Sequence, residues 1–384
     1  MAQKVKTDSI LFLTVLGLVA AGTIMLASAS SVVSNNRYGF SGHITLRQLG
    51  WALAAIAAMM FFKRLDYRRL NSRAVAFSSI AAVLGLLMLV YWMDPRWHRW
   101  IRLGPIGIQP SELAKPALIL FLAHFVARRA AAINDRRTLL RGAIIVGLVA
   151  GGVMVADLGT ALVLALTGAV VFFVAGLEWR YAAVAGGVLL VFVSIAILTK
   201  PYRIARIFSY IDSDYSTLDS AIVRHFDPDG RLKAWLVRAA PTRDSSYHIN
   251  QSLIAVGSGG PLGVGPMRSR QKLLYLPEAH TDFIYAVIAE ELGLWGALLF
   301  AGGFFIIAWR GLRIHFRAPD DFGRFVALGV TTMIAVQAFM NISVVLGMVP
   351  PKGIPLPLVS YGGSSLLSTL AALGMLQSVG DHSG

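Results

Sequence analysis

The chain has no cysteine among its 384 residues, and only 14% of its residues are charged. The first absence excludes disulfides and thiolate metal sites, and it leaves the redox compartment open. The scarcity of charge, with 56% hydrophobic residues and a mean hydropathy of +0.65, excludes a disordered chain and argues against an ordinary soluble domain. Acidic residues are scarcer than basic ones, 20 against 35. In a membrane protein such a basic excess indicates topology signals or contacts with anionic lipid, so we expect no nucleic-acid partner.

Repeated apolar runs of about 17 to 25 residues predict a polytopic helical membrane protein. The first run, from Ile10 to about Val33, is too long for a signal-peptide core, and we interpret it as an uncleaved first helix. We therefore expect an all-α polytopic membrane protein, with one membrane domain over 1–384 that contains a large loop, 200–281, between helices 7 and 8. The ten predicted spans are roughly 10–33, 47–62, 74–92, 112–127, 142–157, 160–177, 182–199, 282–308, 325–345 and 364–379.

Basic residues in the short loops predict the orientation. With the N-terminus inside, the cytoplasmic stretches hold 17 lysines and arginines, and the short outer loops hold 7. The remainder lie in 200–281, and long loops cross the membrane largely regardless of charge. We therefore expect both termini to be cytoplasmic and the acidic residues near Asp157, Glu278 and Asp282 to face outward.

The stretch RWHRWIRLGPIGIQPSELAK, 96–115, combines arginines and tryptophans with a helix start. Ser111 is the predicted N-cap, and Glu112 and Lys115 are three residues apart, so they share a helix face. The arginines and tryptophans have two interpretations. They form an interfacial aromatic belt, or they form a cationic site for a phosphate or pyrophosphate.

A second stretch, ADLGT at 156–160, places Asp157 between two apolar runs. A lone carboxylate there needs a cation, and Lys115 is the candidate that we favour. The pair would lock spans four and five together, which we consider a structural role rather than a direct part in chemistry.

The loop 200–281 contains GSGGPLGVG followed by PMRSRQKLLYLPEAHTDF. No strand precedes the glycines, so a nucleotide-binding loop is a poor interpretation. The alternatives are a flexible loop and an anion-binding nest beside Arg268, Arg270 and Lys272. The polar part, 212–245, is interpreted as a segment that lies on the membrane surface or meets a partner.

Asp282 in LPEAHTDF is predicted to lie in the first turn of span eight, which Thr281 or the Pro277 region would start. A carboxylate there, beside His280, suits general-base work on a sugar hydroxyl, oxygen coordination of a metal, or simple N-capping. Further along, Glu290 and Glu291 are charged groups at membrane depth. We expect one of the two to face the bundle interior and pair with a polar group.

The last constellation is MVPPKGIPLPLVSYGGSS, 348–365, whose prolines and glycines prevent a continuous helix. Irregular backbone at membrane depth must be buried in protein or line a wet cavity. Asn341 in span nine is expected to face inward.

Together and in this order, these stretches resemble the SEDS family of membrane peptidoglycan polymerases, of the FtsW/RodA type. HINQSLIAVGSGG, SRQKLLYLPEAHTDFIYAVIAEELG and PPKGIPLPLVSYGGSS are more similar to the FtsW division type than to the RodA elongation type. Pro351, Pro266 and Met267 depart from the division-type pattern, and 212–245 is longer than in many relatives.

The resemblance implies ten membrane helices, a catalytic carboxylate at Asp282, and a polar cavity around it. The substrate-binding or cavity residues that it implies are Arg99, Trp100, Arg102, Gln109, Ser111, Glu112, Lys115, Asp157, Arg268, Lys272, His280, Lys352, Ser360, Tyr361 and Ser364. Asp282 is also the candidate ligand for a divalent cation, Mg or Mn, and no nucleotide is expected.

The implied reaction is the polymerisation of lipid II into glycan strands at the outer face of the bacterial cytoplasmic membrane. The implied partners are lipid II, polyprenyl-pyrophosphate-linked glycan, a class B penicillin-binding protein transpeptidase and other divisome or elongasome membrane proteins. A lipid II flippase and a non-catalytic scaffold of the division or elongation complex are the alternatives.

Overall fold

A computed structural model describes most of the chain, and most of the described residues are helical. The described residues are 7–94, 98–104, 106–199, 201–212, 231–239, 245–350 and 353–383. Lys352, Pro351 and most of the polar segment 212–245 lie outside them.

The described residues form ten long helices at the ten predicted spans. They are α1 Ser9–Tyr38, α2 His43–Arg64, α3 Arg73–Met93, α4 Pro110–Ala127, α5 Arg136–Met154, α6 Leu158–Val174, α7 Trp179–Leu198, α11 Ile284–Arg317, α12 Asp321–Val345 and α13 Gly363–Asp381. Seven of these helices are long and apolar enough to cross a membrane, and α6 and α7 are shorter apolar helices. The prediction of an all-α polytopic membrane protein is confirmed.

Three shorter helices belong to the predicted large loop: α8 Pro201–Ile211, α9 Arg231–Ala239 and α10 Ser245–Gly259. Helices α8 and α9 contact each other, and α10 packs along α11. The glycines Gly257 and Gly259 therefore belong to a helix rather than to a flexible loop.

A small hairpin, β1 Ile101–Leu103 and β2 Ile106–Ile108, precedes α4. Arg102 lies opposite Gly107 in this antiparallel pair. Strands of three residues carry no readable alternation, and for that reason the sequence did not predict them.

Helix α4 lies at the centre of the bundle and is almost wholly buried, against α3 on one side and α12 on the other. Helix α12 in turn packs against α11, and α13 packs along α2. Acidic and serine side chains fix several helix starts: Asp8 caps α1, Ser72 caps α3, and Asp320 caps α12. This arrangement brings the loops before α4, α6, α11 and α13 to one end of the bundle, here called the Asp282 end.

Candidate active site

Asp282 lies just before α11, in a series of turns. The helix begins at Ile284 with Phe283 at the N-cap position, so the prediction that Asp282 is in the first helical turn was wrong. Backbone bonds from Thr281 and Phe283 to the carbonyl of Glu278 close turns instead of a helix. The carboxylate consequently projects from a loop whose backbone is held in place, and the carbonyl of Asp282 accepts a 2.7 Å hydrogen bond from Asn341.

The carboxylate of Asp282 has an unusual environment. Among the described residues, none donates it a hydrogen bond and none forms an ion pair with it, although the side chain is only partly exposed. Burial raises the pKa of Asp282 to about 7, Arg99 opposes that rise, and Glu278 and Asp157 add to it. A group that ionises near neutral pH can accept and release a proton during a reaction.

The irregular segment 353–362, here called the broken segment, runs directly beside Asp282. A methyl group added to Gly353 would lie 2.8 Å from Oδ2 of Asp282. Side chains satisfy the backbone of this segment: Asn341 donates to the Ile354 carbonyl at 2.7 Å and Gln337 to the Pro355 carbonyl at 2.9 Å. Non-helical backbone inside a membrane protein requires this kind of support.

Ser360 and Tyr361 join the broken segment to the loop that carries Asp282. The hydroxyl of Ser360 donates to the Thr281 carbonyl at 2.5 Å and accepts from the Leu356 amide at 2.8 Å. The amide of Tyr361 donates to the His280 carbonyl at 3.1 Å. Ser360 thus acts through its side-chain hydroxyl and Tyr361 through its backbone amide, and both bind backbone carbonyls of the loop that carries Asp282, which the motif alone did not indicate.

The start of α4 differs from the prediction. Gln109 occupies the N-cap position and Pro110 is the first helical residue. The Ser111 hydroxyl accepts a 2.8 Å bond from Nε2 of the Gln109 side chain instead of capping the helix. Proline is favoured at the first helical position because its missing N–H would have no helical partner there, and the helix starts two residues earlier than predicted.

Lys115 and Glu112 form a buried ion pair of 2.8 Å, and each residue is 1% exposed. The Lys115 ammonium also donates to Oε1 of Gln337 at 2.9 Å. Gln337 therefore links this pair to the broken segment through Pro355. The predicted shared helix face is confirmed, whereas the predicted pairing of Lys115 with Asp157 was wrong, because the ammonium is already bound on its own helix.

Asp157 instead caps α6. One oxygen accepts from the amides of Gly159 at 2.9 Å and Thr160 at 3.2 Å, and the other accepts from the Thr160 hydroxyl at 2.9 Å. Its cation is Arg99, whose Nη2 lies 3.6 Å from Oδ2. Gly159 packs so closely on Ile354 that a methyl group there would clash, which places this cap against the broken segment.

The hairpin brings the basic and aromatic residues to the same end. Asp94 accepts from the amides of Arg99 and Trp100, and the Trp100 ring packs over Gly107. The side chain of Arg102 is exposed. Arg99 forms an ion pair with Asp157, and its charge lowers the pKa of Asp282, whereas Arg102 is exposed at the surface.

Glu290 and Glu291 are both buried and both bonded, although only one was expected to be. Glu290 accepts from the Ser269 hydroxyl and from the Arg270 amide at 2.8 Å. Glu291 binds the ammonium of Lys272 and the hydroxyl of Ser28, at 2.8 and 2.6 Å. These two carboxylates thus bind the loop that follows the glycines.

The glycine-rich stretch closes onto a break in α11 at Gly293, whose φ is 67° and ψ is −165°. The amides of Val264 and Gly265 donate to the carbonyls of Glu290 and Glu291, and Leu294 donates to the carbonyl of Gly260. The carbonyls freed by the helix break are therefore capped by the loop. Neither the flexible loop nor the anion nest describes this stretch.

Of the basic residues beside the glycines, Lys272 is buried and forms an ion pair with Glu291, whereas the side chain of Arg268 packs against Gly265. Lys272 also lines a cavity of about 250 Å³ at the Asp282 end, together with Glu278 and His280. Burial lowers the pKa of His280. Among the described residues, the Nδ1 atom of His280 and the Oγ atom of Ser364 are buried without a hydrogen-bond partner.

Three functional candidates escaped the sequence reasoning. Arg206 on α8 is half-buried and acts electrostatically on Asp282, and desolvation lowers the pKa of its guanidinium. Gln48 on α2 contacts the broken segment at the Ser360 carbonyl and the Gly362 amide. Gln337 on α12, which binds both Lys115 and the Pro355 carbonyl, is the third. Arg206 had a sequence signal in the amphipathic pattern of PYRIARIFSYI, and Gln48 and Gln337 had one as polar side chains within apolar runs.

The fold and site define a polytopic α-helical membrane protein in which a buried polar network supports the loop that carries the Asp282 carboxylate. Residues 8–384 match the family FTSW_RODA_SPOVE, described as cell cycle protein. The chain therefore belongs to this family.

Its relatives include stage V sporulation protein E of Bacillus subtilis, 38% identical over 99% of each chain. Another is the probable peptidoglycan glycosyltransferase FtsW of Trichlorobacter lovleyi, 35% identical over 97% of this chain and 92% of that one. The rod shape determining protein RodA of Thermus thermophilus has a crystal structure with a TM-score of 0.67, at 27% identity, covering 98% of this chain and 97% of that chain.

A second similar structure has a TM-score of 0.74, at 28% identity, covering 98% of both chains. It comes from work on the structural coordination of polymerization and crosslinking by a peptidoglycan synthase complex. The resemblance to the FtsW type is confirmed by the family match and by the identity to these relatives.

Proposed function

We propose that this chain is a peptidoglycan glycosyltransferase that polymerises lipid II, with Asp282 as the general base. The names of its FtsW relatives support the activity. The observation that carries the role of Asp282 is the place of its carboxylate, which lies beside the broken segment without a hydrogen-bond donor among the described residues. Burial raises the pKa of this carboxylate to about 7.

In the proposed step, Asp282 takes the proton from the 4-hydroxyl of the acceptor N-acetylglucosamine. That oxygen attacks the anomeric carbon of the donor strand, and the bond from this carbon to the lipid pyrophosphate breaks. The configuration inverts from α to β, the pyrophosphate leaves with the bonding electrons, and the proton stays on Asp282 until solvent removes it. General-base catalysis of this kind contributes about 10²- to 10⁴-fold to a rate.

Arginines are the proposed stabilisers of the departing pyrophosphate. Arg99 and Arg206 both lower the pKa of Asp282, so their charges act on the reacting region. Arg102 is exposed nearby in the hairpin. Preformed cations at a site of developing negative charge stabilise the transition state without rearranging. Glu112, Lys115 and Asp157 are positioning residues in this proposal. The first two reach the broken segment through Gln337, and the helix start that Asp157 caps packs on Ile354.

A divalent cation is also proposed, as an ion that enters with the pyrophosphate. Within the described parts of the chain, no three histidine or acidic side chains cluster to hold a metal. Magnesium is commonly held by one or two carboxylates and substrate phosphates, so Asp282 would be the single protein ligand. The bound cation would neutralise charge on the leaving group. Chelation followed by stepwise return of Mg²⁺ or Mn²⁺ during polymerisation tests this part.

The proposed location is the bacterial cytoplasmic membrane, with both termini cytoplasmic and Asp282 at the outer face, which the loop charges support. The proposed partner is a class B penicillin-binding protein transpeptidase, together with other divisome or elongasome membrane proteins. The similar structure from a peptidoglycan synthase complex supports such a partner. Copurification with the transpeptidase from the same cells tests it.

The activity is tested by adding the purified full chain to vesicles that contain fluorescent lipid II. A polymerase produces a ladder of glycan strands, with and without the partner transpeptidase. Movement of lipid II across the bilayer without any ladder would identify a flippase instead. Neither polymer nor translocation, with normal complex assembly in cells, would identify a scaffold.

A further inference from the structure

A second cavity lies at the end of the bundle opposite Asp282. It has a volume of about 280 Å³ and lies between the start of α1, the last turns of α11 and the end of α13. Its polar lining consists of Asp8, the three arginines Arg310, Arg313 and Arg317, and the hydroxyl residues Thr7, Ser9 and Ser383. None of these residues takes part in the proposed reaction.

One of the arginines is structural. Arg310 binds Oδ2 of Asp8 through Nη2 at 2.6 Å and Nε at 2.7 Å, and the two side chains are 13% and 12% exposed. Asp8 also caps α1 by accepting from the Leu11 amide at 3.1 Å. This pair joins the start of α1 to α11 and forms one wall of the cavity.

The other two arginines differ from Arg310. Arg313 and Arg317 follow it by three and seven residues, so all three lie on one face of α11. Within the described parts of the chain, neither Arg313 nor Arg317 has an ion pair or a hydrogen bond for its guanidinium. The three arginines and Asp8 leave a net charge of +2 around an open cavity.

Two of the three hydroxyls around the cavity already have acceptors. The hydroxyls of Ser9 and Ser383 donate to backbone carbonyls, so the guanidiniums are the principal donors. The amino end of α1, a helix of 30 residues, opens onto the same space and adds partial positive charge. Arginines near a helix C-terminus are favoured by the helix dipole alone, but that effect does not account for a cavity lined by them.

The chemistry of this lining selects a phosphate group. Guanidinium binds phosphate bidentately, with two parallel hydrogen bonds. The exposed aromatic residues Trp309 and Phe316 flank the arginine face on α11. Aromatic side chains of this kind mark the level of the lipid headgroups, where phosphodiesters are abundant. We propose that this cavity binds a phosphate group, supplied by the headgroup of an anionic phospholipid.

The test measures how lipid stabilises the purified full chain in mixed micelles. Phosphatidylglycerol is titrated into the protein, and the midpoint of thermal unfolding gives an apparent affinity. Phosphatidylcholine is the neutral lipid control, and sn-glycerol 3-phosphate is the soluble phosphate. The variant is Arg313→Gln/Arg317→Gln, which keeps the Asp8–Arg310 pair intact. The matched control is Arg324→Gln, which removes an exposed arginine paired with Asp321 at 3.2 Å.

We expect phosphatidylglycerol to stabilise the wild type and Arg324→Gln alike. It should bind the double variant more weakly by about tenfold or more, because charged hydrogen bonds are lost. If the double variant does not fold, Arg313→Lys should give a smaller loss, because it keeps the charge but not the bidentate geometry. An unchanged response to phosphatidylglycerol in these variants would overturn the site. Equal stabilisation by phosphatidylcholine would overturn the need for anionic charge, and equal stabilisation by glycerol phosphate would overturn the lipid as the source.

Discussion

The ion pair between Lys115 and Glu112 offers a quantitative test of how the candidate site is supported. Replacing Lys115 by methionine removes the cation from a carboxylate that is 1% exposed, and it leaves the Gln337 oxygen without a donor. Breaking one partner of a buried pair costs about 3–5 kcal/mol, because the remaining charge stays desolvated. We expect a loss of that size for Lys115→Met.

The double variant Glu112→Gln/Lys115→Met separates the pair from its surroundings. It removes both charges while keeping side chains of similar size, so we expect it to be more stable than Lys115→Met by about 2 kcal/mol or more. Unfolding by denaturant in detergent micelles, followed by tryptophan fluorescence, measures each free energy.

The exposed pair of Asp321 and Arg324 is the matched control, since it has the same three-residue spacing. Its side chains are 50% and 46% exposed, so Arg324→Met should cost less than about 1 kcal/mol. The reasoning is refuted if Lys115→Met costs no more than Arg324→Met, or if the double variant is no more stable than Lys115→Met.

Three further predictions concern the helix break, the loop contacts and the pH dependence. Gly293→Ala should destabilise the fold by about 3 kcal/mol or more, because its methyl group would clash with the backbone of Gly263 and Pro261. Gly302→Ala, which has open space around it, should be neutral or stabilising. Equal unfolding midpoints for the two variants would contradict this prediction. Glu291→Gln should lower stability and polymerisation together, since Lys272 loses its partner; full activity would show that this loop does not position Asp282. Finally, burial raises the pKa of Asp282 to about 7, so the carboxylate is mostly protonated below pH 7. The polymerisation rate should therefore rise as the pH passes from 6 to 8, and a flat pH profile would exclude a base with this pKa.

Much of the architecture could be read from the sequence, because the bilayer imposes both length and hydropathy on each span. All ten apolar runs are helices in the structure, and their ends moved by a few residues at most of the boundaries. The largest shift is at α11, which continues to Arg317, where the apolar run ends near residue 308. Helical hydrogen bonding can continue beyond the hydrophobic run, so hydropathy marks the span and not the helix.

The pairings of the polar groups were less predictable. Lys115 was assigned to Asp157 because both lie near the same ends of their helices, but the nearer Glu112 and Gln337 bind it. Asp157 instead uses its oxygens on its own helix start, a local bond that competes with distant partners. Such choices depend on distances of a few ångströms, which spacing along the chain does not supply.

The glycine-rich stretch was the least predictable part of the structure. Its conformation depends on a break in α11 that Gly293 permits. Nothing in the sequence indicated that the glycine-rich stretch and this break contact each other. A glycine within an apolar helix usually signals close packing, and only the structure shows the backbone of another segment inserted there.

The most direct test of the catalytic assignment is the initial rate of lipid II polymerisation by Asp282→Asn. Glu278→Gln, a neighbouring loss of charge, is the matched control. We expect Asp282→Asn to remain folded, and to be at least as stable as the wild type at pH 8, because it removes a desolvated charge. Its rate should fall by about 10²-fold or more, while Glu278→Gln retains most of its activity. Undiminished glycan synthesis by a folded Asp282→Asn protein would contradict the role of Asp282 as the base.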